Sequence, residues 1–223
     1  MKRQFNKRWH SPTNTFMHIQ KFEQEQGVGA LIKPENKVVR ESRIAAIAAF
    51  VLSKIRGLPT YLRMPLQDPP DAYLMQPNGV SMDITTIELT SYRKSKESLL
   101  EQLIRTRKLS GAYSSEYLML VHLFTTDGVD YEEIKKYANE KLIDYPIWAV
   151  RNVRNHPDTI AELVVVNPTT SVFEINVGKE AFEYDKKYDL PDIVFSKEVI
   201  SPREVRTEET GESNIAPWQE RQD

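Results

Sequence analysis

Pro69-Pro70-Asp71-Ala72-Tyr73-Leu74 and Asp83-Ile84-Thr85-Thr86-Ile87-Glu88-Leu89-Thr90, joined through Pro77-Asn78-Gly79, form the stretch on which the reading of this chain turns. Asn-Gly after a proline is a strong turn signal. The flanking segments, about 71–76 and 83–90, are therefore expected to pair as antiparallel strands. Such a hairpin brings Asp71 and Glu88 together. Like charges held near one another raise each other's pKa unless a cation lies between them. Hard divalent ions bind through one or two carboxylates and keep several waters, so the pair reads as a metal site suited to phosphoryl-transfer chemistry. In the second strand Ile87 and Leu89 share one face, and Ile84, Thr86, Glu88 and Thr90 share the other. The competing readings are a solvated sheet face for Glu88 and simple turn initiation for Asp71.

Upstream, the spacing of Ile44, Ile47, Ala48, Val51 and Ile55 predicts a helix over 37–56, stopped by Gly57. Glu41 lies three residues before Ile44 and seven before Ala48, which sets a carboxylate on the apolar face. A strand is expected over 60–66, with Pro65 marking its edge or end. Downstream, a helix over about 96–109 carries Leu99, Leu100, Leu103 and Ile104 as its stripe, bordered by Ser95, Gln102 and Thr106. The nearly continuous apolar run Tyr117–Phe124 reads as a central strand buried on both faces. His122, inside it, reads as a hydrogen-bonded core residue. Asp130-Tyr131-Glu132-Glu133 has the form of a capping box and opens a helix to about Ile143. Strands follow over 147–153, 160–166 and 171–177, the last two forming a hairpin around Asn167-Pro168-Thr169-Thr170. The fold class is α/β, a central mixed sheet flanked by helices.

An acid after a proline in the second strand, with Glu88-Leu89-Thr90 in the third, resembles the PD-(D/E)XK nuclease superfamily. The resemblance covers about residues 37–125 and implies a restriction-endonuclease-like core. It further implies that Asp71, Glu88 and the Leu89 carbonyl ligate Mg²⁺ or Mn²⁺. Glu41 corresponds to an acid many members carry in the first helix, and Gln102 is similar to a positioning glutamine of the resolvase-like and RecB-like branches. The chain departs from the pattern at Thr90, where the superfamily usually has lysine. Lys94 and Lys96 are the nearby residues that can supply that cation, and Arg93 is a further base in the same connection. The activity implied is metal-dependent hydrolysis of phosphodiester bonds in DNA. The departure keeps open a module of the same fold that binds nucleic acid without cutting it, or an assembly component.

Composition sets the outer bounds. With 40% hydrophobic and 28% charged residues over 223 positions, the chain has the make-up of a globular protein with one buried core. It has no apolar run long enough for a membrane span and no secretory signal. Zero cysteines exclude thiol nucleophiles and zinc–thiolate sites and are compatible with a cytoplasmic setting. The four histidines lack ligand spacing. Residues 1–36 read as a basic N-terminal arm, 37–200 as the nuclease-like domain, and 201–223 as an acidic, flexible tail. Either charged end can serve as a docking arm for a protein partner. DNA is the expected ligand, because Arg93, Lys94, Lys96, Arg105, Arg107 and Lys108 crowd the second helix against Glu97 and Glu101. A homodimer is compatible with double-strand cutting, but no interface is legible.

Overall fold

Glycine at the end of a long apolar run decides the first element. In the computed structural model, which describes residues 9–65, 70–79, 81–109, 113, 115–125, 128–154 and 160–188, the segment before Gly57 is helical. Among the described residues two α-helices precede β1: α1 (Pro12–Gln26) and α2 (Lys37–Arg56). Gly57 takes the left-handed conformation at φ 68° and donates its N–H to the Ser53 carbonyl at 2.8 Å, the geometry that ends a helix most cheaply when no Cβ is present. Three strands follow, β1 (Tyr61–Arg63), β2 (Ala72–Pro77) and β3 (Met82–Tyr92). Then come α3 (Leu99–Arg105), β4 (Tyr117–Leu123), α4 (Tyr131–Glu140), β5 (Ile147–Arg154), β6 (Ile160–Asn167), β7 (Ser171–Asn176) and α5 (Val177–Tyr188).

The strands lie in one seven-stranded sheet in chain order. β1, β2 and β3 form an antiparallel meander, β3, β4 and β5 run parallel, and β5, β6 and β7 form a second meander. Helices α3 and α4 fall within the two parallel connections, as such crossovers require. One face of the sheet packs Leu74, Ile87, Leu120, Val150 and Leu163 against Ile44, Ile47, Ala48 and Val51 of α2. The other packs Met119, Val121, Ala149 and Val164 against Leu99 and Leu103 of α3 and Ile134 and Ala138 of α4. Each such aliphatic side chain contributes about 1.5–3 kcal/mol on burial.

Helix α2 is buried nearly all round, because a second layer covers its outer side. Phe50 stacks on Phe16 of α1 at 5.8 Å and meets the edge of Tyr184 of α5 at 5.6 Å. The Tyr184 hydroxyl accepts from Thr60 N–H and donates to the Thr60 carbonyl, both at 2.8 Å. Neither α1 nor α5 is expected from apolar spacing. The stretch read as a basic arm thus holds, from Pro12 on, a helix docked on α2, with Trp9 1% exposed beside it. Met1–Arg8 and the acidic segment 201–223 lie outside the described residues.

Three boundaries also differ from expectation. β1 covers three residues rather than seven. Helix α3 starts at Leu99, because Ser98 accepts from Glu101 N–H and the Glu101 carboxylate accepts from Ser98 N–H, a reciprocal cap that fixes the first turn. It stops at Arg105, leaving Ile104 41% exposed rather than in the core stripe. Among the described residues no helix is long and apolar enough to cross a membrane.

Candidate functional site

The β2–β3 ladder runs from Pro77 opposite Met82 to Ala72 opposite Ile87. Just before the ladder, Asp71 N–H donates to the Ile87 carbonyl at 3.1 Å, out of step with the register that sets Ala72 opposite Ile87, and the Asp71 and Glu88 charges both reach Lys108. Both acids are buried, 8% and 5% exposed. The Asp71 carboxylate also accepts the Leu89 N–H at 2.7 Å. In a strand, the N–H and C=O of one residue face the same edge. The Leu89 carbonyl is therefore directed to the edge where β2 has already ended.

Glu41 reaches this corner from α2, buried as its helical spacing requires. Lys37, one turn earlier, stands between the acids, 3.4 Å from Glu41 Oε1 and 3.6 Å from Asp71 Oδ1. Burial, and then the charge of Asp71, push the Glu41 carboxyl up to about 7, against the pull of Lys37 and Arg40. Three partly buried carboxylates thus meet Lys37 and Lys108, with Arg40 acting on Glu41.

The second lysine is Lys108, whose ammonium pairs with Glu88 Oε1. Its placement depends on the turn that follows α3. Arg107 adopts φ 57°, Lys108 N–H closes on the Leu103 carbonyl at 2.9 Å, and the Tyr145 hydroxyl donates to the Lys108 carbonyl at 2.8 Å. Burial works against the charged ammonium, but the hydrogen bond and charge of Glu88 outweigh it and raise the Lys108 pKa. Tyr113, close enough to feel both, is held above the usual phenol range by burial and by Glu88. Burial likewise keeps the Tyr145 hydroxyl protonated.

The other expected site residues lie along the end of β3, its connection to α3, and α3 itself. Lys94 and Lys96 are exposed in the connection between β3 and α3. Gln102 donates to the Ser91 carbonyl at 2.8 Å and so ties α3 to the end of β3. Thr90 is half-buried on the face of Glu88. Of the bases around α3, Arg105 is taken up by a two-point pair with Glu97 at 2.8 and 2.9 Å. His122 is buried, 5% exposed, but its Nδ1 has no hydrogen-bond partner among the described residues, unlike the bonded core histidine expected.

Lys108 is the residue that sequence reasoning passed over as a site group. Continued as helix, as expected, residue 108 would have been one more base on a solvated face; only the left-handed Arg107 turns it inward.

Among the described residues no group of three or more histidine, aspartate or glutamate side chains is gathered closely enough to hold a metal ion by itself. The donor set is narrower: two carboxylates, Asp71 and Glu88, beside one backbone carbonyl. All are hard oxygen donors, and Mg²⁺ needs no more than one or two carboxylates because it keeps its waters. The residues fit such an ion, with the lysines as its competitors for the same oxygens. Comparison with protein-family models, with curated proteins and with solved structures finds no match for the chain.

Proposed function

We propose that this chain is a divalent-metal-dependent nuclease with a restriction-endonuclease-like core, hydrolysing phosphodiester bonds in DNA. The observation that carries the reading is the burial of Asp71 and Glu88 near one lysine, Lys108, which pairs with Glu88 and feels the charge of both. The run α2–β1–β2–β3–α3–β4, with β4 parallel to β3, supports the fold assignment. Thr90 then loses its significance as a departure, because a cation in space matters and its place in the chain does not.

Asp71, Glu88 and the Leu89 carbonyl would hold Mg²⁺ or Mn²⁺. That ion supplies Lewis-acid polarisation of the phosphate and a water acidic enough to attack near neutral pH. The Leu89 N–H fixes the Asp71 carboxylate rotamer before any ligand arrives. Lys108 offers positive charge where negative charge grows on the phosphate, and a preorganised charge in a water-poor corner acts more strongly than one in bulk solvent. Glu41, with its carboxyl near 7, is poised to take or return a proton around neutrality. Gln102 acts at one remove, by holding α3 to β3 so that the following turn delivers Lys108.

The test is cleavage of linear, circular and branched DNA in Mg²⁺ or Mn²⁺, with DNA retention measured in parallel. Wild type should cut, and Asp71→Ala and Glu88→Ala should lose cutting while retaining DNA. No cutting by wild type in either metal would end the proposal. A second reading, a module that binds without cutting, is favoured by one feature: Lys108 already engages the Glu88 oxygen that a metal would need. It predicts salt-sensitive DNA retention and no cleavage.

A further inference from the structure

Beyond the acid corner, on the face of the sheet that packs α2, lies a cluster of opposite sign. His122 sits opposite Ser91 in the parallel β3–β4 register, on the side of Leu118 and Leu120. Its ring packs tilted against Phe124 at 4.1 Å, and the Arg93 guanidinium lies over the Phe124 ring, 4.8 Å from its centre. Arg40 and Arg43 approach from α2, near enough, with Arg93, to act on the His122 charge. Arg40 spends one N–H on the Leu31 carbonyl at 3.1 Å. Arg43 faces Glu23 at 3.5 Å, and its buried Nε finds no partner among the described residues. A guanidinium has five donors, and among the described residues Arg40 spends one on Leu31 while Arg43 faces Glu23.

A histidine kept for packing alone would be expected to have its ring nitrogens bonded, since buried polar atoms nearly always are. Leaving one unmatched costs about 1–3 kcal/mol. Gathering three guanidinium groups about it adds repulsion, answered by Glu23 at Arg43 and by Glu41 beside Arg40. A phosphate resolves both costs together, because guanidinium forks match its oxygens and a neutral imidazole donates from Nδ1 once that tautomer is selected.

We propose that Arg40, Arg43, Arg93 and His122 form a second phosphate site, which holds a non-scissile phosphate of the nucleic-acid strand whose reacting phosphate lies at Asp71 and Glu88. This rests on the proposed nuclease reading for the identity of the strand. Glu88 and His122 project from opposite faces of the sheet at the same end of β3 and β4, and what links the two sites is α2, from which the Arg40 charge reaches both Glu41 and His122. Arg40 and Glu41 are neighbours on α2, which couples the two sites through one rigid helix.

The experiment uses the full chain carrying Glu88→Gln, without added metal, so that binding is read apart from cutting. Anisotropy with a single-stranded oligonucleotide, repeated over a salt series, gives the slope of log K against log salt. Removing one phosphate contact lowers that slope by about 0.7. Arg93→Gln, at an exposed position, and Arg40→Gln should each do so, while Lys96→Gln serves as an exposed-base control. Inorganic phosphate should shift the His122 ring resonances in the parent protein and less in Arg93→Gln. His122→Gln is a supplementary variant; the arginine variants carry the test if it fails to fold. Unchanged slopes in both arginine variants would overturn the inference even if wild type cuts DNA. A phosphate-dependent His122 shift with unchanged oligonucleotide slopes would also overturn it, leaving an adventitious anion. Lowered slopes in a protein that cuts nothing would uphold this site and remove the cleavage reading.

Discussion

The acid corner and the His122 cluster flank the end of β3, and they handle buried charge in opposite ways. At the acid corner each carboxylate is met by a partner: Leu89 N–H for Asp71, Lys108 for Glu88, and Lys37 for both Glu41 on its own helix and Asp71. At His122 the surrounding groups carry one sign, and the imidazole gives up its charge, its pKa pushed down to about 4 by burial and then by Arg40, Arg43 and Arg93. Desolvation disfavours any ion, but pairing preserves the charge and neutralisation removes it. The first corner gathers carboxylate oxygens and the second N–H donors. On the proposed reading their complements are a small cation and an oxyanion.

The contrast is broken most severely at Lys108. Lys108→Met leaves Glu88, whose side chain is 7% exposed, without its cation. Removing one partner of a buried pair costs about 3–5 kcal/mol, whereas replacing both by apolar groups is often neutral. Urea denaturation should show that loss for Lys108→Met and recovery of most of it in Lys108→Met/Glu88→Met. Cleavage, where present, should fall by about 100-fold or more in Lys108→Met, the scale of losing a preorganised electrostatic group. Full stability in the single variant would show that Glu88 is solvated and not paired.

Titration sharpens the same contrast, because Glu41 and His122 depart from their ordinary values in opposite directions. Folded Glu41 keeps its proton to about 7, whereas its ordinary value is 4.5. Stability from this group is therefore full below 4.5 and falls as pH rises to about 7, by about 3 kcal/mol in all. His122 runs the other way: its folded value of about 4 lies under the ordinary 6.5, so its contribution is present above 6.5 and is lost as pH falls toward 4. Between 4.5 and 6.5 the two trends oppose each other and the net profile flattens. Glu41→Gln should unmask His122, giving stability that rises with pH through that window. It should also stabilise the protein by up to about 3 kcal/mol near pH 8. A urea series across pH checks both; an unchanged profile would place Glu41 in water.

Much of the acid corner was legible because local rules set it. The Asn78-Gly79 turn, with Gly79 at φ 86°, fixes the β2–β3 register as far as Ala72 opposite Ile87, the residues next to Asp71 and Glu88. Helical spacing alone predicts the burial of Glu41. Lys108 was not legible because its orientation depends on a left-handed arginine, a conformation that no glycine or asparagine announces. Helices α1 and α5 were missed for a different reason. Their buried positions include Thr13, Thr15 and Glu180, and polar residues in a packed face erase the apolar period. The lysine of Lys54 explains Glu180, to which it is paired, but that partner lies 126 residues away in the chain. The arginines around His122 were visible as charges only, since their convergence needs α2 laid against β4.

The weakest expected effect lies at Lys37, and its smallness is what separates pairing in burial from pairing at the surface. Lys37 is 50% exposed on its side chain, against 22% for Lys108, and its oxygens lie at 3.4 and 3.6 Å. Exposed pairs contribute about 0–1 kcal/mol. Lys37 is also the first residue of α2, where the helix dipole disfavours a cation, so Lys37→Met regains part of what it loses. We expect it to lower stability by less than about 1 kcal/mol in urea. Its electrostatic effect on Glu41 should remain visible: the Lys37 charge and hydrogen bond hold the Glu41 carboxyl down, so its removal should move that titration above 7 in carboxyl carbon NMR. If Lys37→Met proved as damaging as Lys108→Met, depth of burial would not rank the two lysines, and Lys37 would be the cation that the acids depend on.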